Sequence, residues 1–196
     1  LVSQHIENHL LHQKEVAQTR MKTEMDLAQQ VHARLLPHQL PHVAGLEVWA
    51  DCRTASHVGG DFYDFVCHSD EMFTLVVGDI SGKGMPAAML MTMTRTVLRT
   101  QINNIPILTP NDVIDRSNRV LYADFNDVNM FATVFMAHYA PQQRVLTYAN
   151  AGHSPVIYCR SGQSAELLEA DGMPMGILPH SISGNHKLTL SPGDVL

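Results

Sequence analysis

Two aspartates set among glycines have the clearest capacity for chemistry in this sequence. Asp61 stands in Gly59-Gly60-Asp61-Phe62-Tyr63-Asp64, and Asp79 in Gly78-Asp79-Ile80-Ser81-Gly82-Lys83-Gly84 at the end of an apolar run. Carboxylates on adjacent strand ends ligate hard divalent cations through oxygen, and glycines beside them let backbone carbonyls and ordered water complete the shell. Taken singly, each aspartate reads as an ordinary turn residue beside glycine. Taken together they close two strand-like segments that can lie side by side, and apposed buried carboxylates are costly without a cation. The pair therefore favours metal, and the chemistry it suggests is metal-assisted hydrolysis. Asp64, three positions from Asp61 on an extended strand, points to the opposite face and does not join them.

Other chemistries fit less well. The segment from Gly78 to Lys83 follows a strand and precedes a helix, as a phosphate-binding P-loop does, but three residues rather than four separate Gly78 from Gly82-Lys83. Gly84 also occupies the place where such a loop needs Ser or Thr. Lys83 is equally suited to hold a phosphate and to stand solvated at a helix start. Among twelve histidines, His5, His9 and His12 share a helix face without a carboxylate cluster and read as solvated. His153, in an Ala-Gly-His turn, reads as a packing or turn-stabilising residue. Met85, Met89, Met91 and Met93 surround one helix and suit adaptable packing in a core or against a partner.

The elements that must position the aspartates can be read from periodicity. Residues 1–36 lack Gly and Pro, and positions 10, 14, 17, 21, 24, 28, 31 and 35 alternate by four and three, as a coiled-coil seam does; Lys14 and Glu24 interrupt its apolar character. One long linker helix is expected, ending where Leu36 precedes Pro37. A second domain is expected over 37–196. It opens with an alternating, half-buried strand from Leu46 to Arg53, followed by a central strand at Phe73 to Val77. A helix opened by Gly84-Met85-Pro86 runs to about Gln101, and Thr109-Pro110 caps another. Strands then follow at Phe131 to His138, Val145 to Asn150, Val156 to Cys159, Leu167-Leu168 and Lys187 to Leu190. Paired strands with two consecutive helices between them argue for an α+β sandwich rather than a parallel βαβ sheet. The missing initial Met and the final Ser191-Pro192-Gly193-Asp194-Val195-Leu196, which reads as a turn and a strand start, lead us to expect a piece of a longer protein, incomplete at the C-terminus and with an upstream sensor domain.

Composition narrows the function class. The 196 residues carry 13 basic and 19 acidic side chains, a net charge of −6, and 45% apolar content, as an ordinary globular domain does. No Lys/Arg cluster offers a footprint for nucleic acid. Three dispersed cysteines suit buried thiols in a reducing compartment, and no signal peptide or long apolar run is present, so a cytoplasmic location is expected.

The motifs around Asp61 and Asp79, the continuation Met85-Pro86-Ala87-Ala88, and Asn150-Ala151-Gly152-His153-Ser154-Pro155 resemble the SpoIIE/RsbU branch of the metal-dependent (PPM) protein phosphatases. So do Gly172-Met173-Pro174-Met175-Gly176, Leu190-Ser191-Pro192-Gly193-Asp194, and the stretch from Leu27 to Pro37. The resemblance implies a four-layer α-β-β-α sandwich and hydrolysis of phosphoserine or phosphothreonine on a regulatory protein by a metal-bridging water. It implies two Mn2+ or Mg2+ ions, with Asp79 bridging them, the Ile80 carbonyl ligating one, and Asp61 supporting one directly or through water. Two further aspartates that complete such a site would follow Leu196, so this stretch alone is expected to be inactive. The implied substrate is a phosphorylated anti-sigma-factor antagonist of the STAS type. A homodimer is expected through the N-terminal helix or through the helices between Met85 and Asp124. The alternative is a non-catalytic partner-binding module of the same fold.

Overall fold

The computed structural model describes residues 2–54, 57–69, 72–104 and 108–196, leaving aside the side chains of residues 2–9, 69 and 104. Helix α1 (Val2–Leu35) precedes strands β1 (Phe62–Ser69) and β2 (Met72–Ile80). Helices α2 (Met85–Asn104) and α3 (Pro110–Asp127) follow, and then strands β3 (Ala132–Ala140), β4 (Val145–Ala151), β5 (Val156–Cys159), β6 (Ala165–Leu168) and β7 (His186–Thr189). Strands β1-β2-β3-β4-β7 form one antiparallel sheet in that order, and β5 and β6 pair in a second. The fold is an α+β sandwich.

The central sheet is covered on both faces, which is why β3 is buried along nearly its whole length. Phe62, Val76, Ile80, Val134 and Met136 face α2 and α3, where they meet Met91, Leu98, Ile114, Leu121 and Phe125. The alternate residues Phe73, Phe135, Tyr139, Leu146 and Tyr148 face the other way, against Val43, Val48, Val156 and Leu168. Helix α3 begins as expected. Thr109 is its N-cap, its hydroxyl accepting from the Asp112 N–H while the Asp112 carboxylate accepts in return, with Pro110 in the first turn.

Two expectations need correction. Leu46 to Arg53 forms no strand; its backbone makes only an isolated bridge between Val43 and Leu46. The alternation is nonetheless real, because Leu46, Val48, Ala50 and Cys52 are half-buried while Glu47, Trp49, Asp51 and Arg53 are exposed. A period of two reports which side meets the core; a ladder also needs a neighbouring backbone, and none among the described residues pairs with this stretch. The thiols are free, but none is buried: Cys67 is exposed, and Cys52 and Cys159 are only partly covered.

Along α1 the seam is largely uncovered: Leu10, Met21 and Val31 are exposed, and burial begins only at His32 and Leu36. No helix among the described residues is long and apolar enough to cross a membrane. On α2 the methionines divide, with Met91 in the core and Met85, Met89 and Met93 forming an exposed stripe at four-residue spacing.

A buried polar relay ties β3 to the approach to α3. His138 Nε2 lies 3.1 Å from the Leu108 carbonyl and Nδ1 lies 2.8 Å from Thr74 Oγ1, which is itself 3.2 Å from His68 Nε2. A carbonyl only accepts, so His138 carries its proton on Nε2. The Thr74 hydroxyl then donates to Nδ1 and accepts from His68. Burial holds His138 neutral, its pKa lowered from 6.5 to about 4, with the neighbouring His68 lowering it further against the Leu108 bond. Because the folded value lies below the unfolded one, this contribution to stability is complete above the unfolded pKa and is lost as pH falls toward the folded one. The loss amounts to at most about 3 kcal/mol. Urea unfolding near pH 7 and near pH 4.5 should show a larger acid loss in the native protein than in a His138→Gln variant; equal losses would remove His138 from the acid response.

Candidate functional site

The site is built by the register between β1 and β2. Phe62 pairs with Gly78, and the ladder continues past the start of β1 through the Ile80 N–H, which donates to the Gly60 carbonyl at 3.3 Å. Asp61 therefore stands directly opposite Asp79. Glycine is required on both sides of this approach: a Cβ on Gly60 would lie 2.6 Å from the Ile80 carbonyl oxygen, and one on Gly78 would lie 2.6 Å from the Phe62 ring. Asp79 alternates with Ile80, whose side chain is fully buried on the helix side, so its carboxylate falls on the face of Phe73 and Leu75.

The two carboxylates perturb each other. The Asp79 carboxyl is raised above its ordinary value, first by burial, then by the charge of Asp61 and by a hydrogen bond with it. This is the signature of an acidic pair short of positive charge. A hard divalent cation fits the donor set, since both side chains offer oxygen only and the Ile80 carbonyl oxygen lies beside Gly60 at the same strand end. Among the described residues no third His, Cys, Asp or Glu joins them in a group that could by itself hold a metal ion.

Asp64 stays apart. Its Oδ1 accepts from the Phe65 N–H at 2.9 Å, from Arg95 at 3.1 Å and from Arg99 at 2.6 Å, and its side chain is 3% exposed. Both arginines lie on α2, so Asp64 ties β1 to that helix on the opposite face of the sheet. Lys83 is exposed in the turn between β2 and α2. The side chains of His5 and His9 lie outside the described residues, and His12 is exposed.

Two neighbours of the acidic pair escaped the reading of the sequence. Thr133 is the β3 partner of Asp79, and its hydroxyl donates to the Asp79 carbonyl at 3.4 Å. His153, in the turn after β4, brings Nδ1 to 2.9 Å from that hydroxyl, while its N–H donates to Asn150 Oδ1 at 2.8 Å. Burial lowers the His153 pKa and the charge of Asp61 opposes this, so the imidazole senses the Asp61 carboxylate. The Asn150-Ala151-Gly152-His153 turn was visible in the sequence; the register that sets it beside Asp79 was not.

Comparison with known proteins matches residues 69–196 to the model of the family described as Stage II sporulation protein E (SpoIIE). The chain belongs to this family. It is a PPM phosphatase relative of the SpoIIE/RsbU branch, with Asp79 inside the matched residues and Asp61 ahead of them. Phosphoserine phosphatase RsbU of Bacillus subtilis (strain 168) is 32% identical over 163 residues, covering 82% of this chain and 47% of RsbU. The RsbU and RsbW domains of a Mycobacterium tuberculosis protein are 28% identical with a TM-score of 0.60, covering 72% of this chain and 38% of that one. The SiaA-PP2C domain of Pseudomonas aeruginosa is 20% identical and shows the shared fold, with a TM-score of 0.75 over 91% of this chain and 70% of its own. This chain spans less than half the length of RsbU and of Protein IcfG of Synechocystis, 47% and 31% respectively.

Metal-free protein should report the repulsion within the pair. Because Asp79 has a folded pKa above its unfolded one, its stability contribution is present below the unfolded value and lost as pH rises through the folded one. Asp61→Asn should move the Asp79 carboxyl partway back toward its ordinary value in a carbon-13 NMR titration, burial retaining the rest. Asp79→Asn should raise the unfolding free energy at neutral pH in chelator, by less than about 1 kcal/mol given solvent screening. An unchanged Asp79 titration in the Asp61 variant would mean that the two carboxylates do not interact.

Proposed function

We propose that this chain is the phosphatase domain, residues 37–196, of a bacterial signalling protein, preceded by a linker helix over 1–36. Its activity is hydrolysis of phosphoserine or phosphothreonine on a regulatory protein. The observation that carries this reading is the apposition of Asp61 and Asp79 on neighbouring strand ends, in a member of a phosphatase family. Asp61, Asp79 and the Ile80 carbonyl are the residues that would hold Mn2+ or Mg2+, with a two-ion site completed by groups beyond these three. Bound ions would supply an acidified water as nucleophile and neutralise charge on the phosphoryl oxygens. The residues of the chain hold the carboxylates in register, and Lys83 stands exposed in the turn that follows β2.

The partner that suits the relationship to RsbU is a phosphorylated anti-sigma-factor antagonist of the STAS type, in the cytoplasm. The uncovered seam of α1 and the methionine stripe of α2 support self-association into a homodimer. A second reading, a partner-binding module without turnover, draws support from the convergence of only two carboxylates among the described residues.

In the full-length protein, Asp79→Asn should lower Mn2+-dependent hydrolysis of a phosphoserine peptide by at least about 100-fold with the fold intact by circular dichroism. Turnover near wild type at saturating Mn2+ would sink the catalytic assignment in favour of the binding module. Residues 1–196 alone should bind at most one Mn2+, weakly, in calorimetric titration, because three protein oxygens fall short of the roughly six ligands such ions take. Two tightly held ions would show that the ligand set lies within this stretch.

A further inference from the structure

We propose that the outer edge of β7 is a docking surface for an extended, acidic segment of a protein partner, which adds to the central sheet as a further strand; this goes beyond the phosphatase reading and does not depend on it. Strand β7 ends the sheet on the side away from β1 and pairs with β4 alone. The Leu190 N–H donates to the Arg144 carbonyl at 2.8 Å, which sets the phase of the ladder. Hydrogen-bonded and non-hydrogen-bonded pairs alternate in an antiparallel ladder. Leu188 and His186, opposite Leu146 and Tyr148, therefore turn their backbone groups toward β4, whereas Lys187 and Thr189 turn theirs outward. No strand among the described residues takes up those outward N–H and C=O groups.

The same edge borders a cleft. Lys187, Leu188 and Thr189 line a cavity of about 470 Å3 together with Tyr158 and Arg160, at and just past the end of β5. It is remote from the acidic pair, because β7 pairs with Val145 to Tyr148 while the site neighbours the Ala151 end of β4. Charge selects the occupant. In a chain of net charge −6 the cleft carries two cations, and the one carboxylate among its lining residues, Asp194, is already engaged. Asp194 Oδ1 accepts from the Ser161 N–H at 3.0 Å, and Oδ2 from the Ser191 N–H at 2.9 Å and the Tyr158 hydroxyl at 2.8 Å. The Arg160 guanidinium lies over the Tyr158 ring, 5.6 Å from its centroid. Its contact with Glu166, 3.6 Å between half-exposed side chains, is a surface pair that a competing carboxylate can replace at little cost. A second copy of β7 is a poor occupant, since pairing about a two-fold axis would set Lys187 and Arg160 against the same cations of the other copy. An acidic strand turns those charges into attraction: the backbone of Lys187 and Thr189 holds it, and Arg160 and Lys187 choose it.

The test uses the full-length protein and a fluorescent peptide of about seven residues alternating Glu and Val, followed by fluorescence anisotropy at low salt. Binding should saturate, and a peptide with Lys in place of Glu should bind at least about tenfold more weakly. Thr189→Pro removes an outward N–H and no bond to β4, so it should weaken binding by at least about tenfold with thermal unfolding little changed. Thr189→Val keeps that N–H and should bind as wild type does. Arg160→Glu combined with Lys187→Glu should show a loss like that of the proline variant, and it keeps the inference testable if that variant does not fold. Asp79→Asn should leave peptide affinity unchanged, so loss of turnover there, which bears on the phosphatase reading, is read separately from peptide binding. No saturable binding, equal binding of the basic peptide, or wild-type affinity in the folded proline or charge-reversed variant would each overturn the assignment. Self-association that Thr189→Pro abolishes, with no peptide bound by wild type, would give the edge to a second copy instead.

Discussion

The site depends on holding two like charges together. Water would let Asp61 and Asp79 separate; the β1–β2 ladder does not, because each carboxylate stands one residue from a glycine whose missing Cβ lets the strands close. The cost is visible in the raised Asp79 carboxyl, and the rest of the fold must outweigh it. Ile80, fully buried, and Phe62, whose ring covers Gly78, anchor the two strand ends from the helix side. Local repulsion at the rim is offset by apolar burial a few ångströms away, at about 25 cal/mol per Å2 of surface removed from water. The donor set left at that rim, two carboxylates and a backbone carbonyl, is suited to a hard cation.

Support for Asp61 also comes from outside the sheet. The His32 ring lies 3.0 Å from the Gly59 carbonyl, to which its Nε2–H donates, and the Tyr63 hydroxyl donates to the Pro37 carbonyl at 3.0 Å. These two bonds bracket Asp61 in sequence and fasten the buried C-terminal end of α1 to the strand that carries it. Farther upstream, Asp26 lies 3.6 Å from His57, while the apolar residues Leu10, Met21 and Val31 are exposed. Helix α2 is fastened to β1 differently, through Asp64 with Arg95 and Arg99. One buried carboxylate faces two guanidinium groups there, while its Oδ2 and the Arg95 Nε have no hydrogen-bond partner among the described residues. Breaking such an arrangement by removing the carboxylate would leave Arg95, 15% exposed, as a poorly compensated cation, while Arg99, 42% exposed, would turn to solvent.

The order of elements from Phe73 onward was legible because local signals agreed. The apolar run at β2, the Thr109-Pro110 cap of α3, and the period-two strands between Ala132 and Thr189 all point to the same secondary structure. Where the reading failed, the missing quantity was non-local. Leu46 to Arg53 carries the alternation of a strand, but alternation cannot reveal whether a neighbouring backbone is at hand. The candidate site divides along the same line. Asp61 and Asp79 announce themselves by glycines beside them in sequence. Thr133 and His153 reach the site through the β2–β3 and β3–β4 registers, and no short window of sequence contains a register.

The missed residues also show why the second sheet matters to the chemistry. The face carrying Asp79 and Thr133 is the one that β5, β6 and the Val43 to Val48 segment cover farther along, where Phe135 and Tyr148 pack. The packed layer thins toward the strand ends: Phe73 is 2% exposed, whereas Val77, four residues on along the same face, is 38% exposed. Carboxylates beyond that point are open enough to be reached by a ligand, yet near enough to apolar surface that burial dominates the shift of Asp79. An acidic pair set deeper in the sandwich would neutralise by protonation, and one set in open solvent would lose its mutual influence to screening. The rim of the central sheet is the place where both carboxylates can remain ionisable and still act on each other, and β1 and β2 bring them there because their glycines permit it.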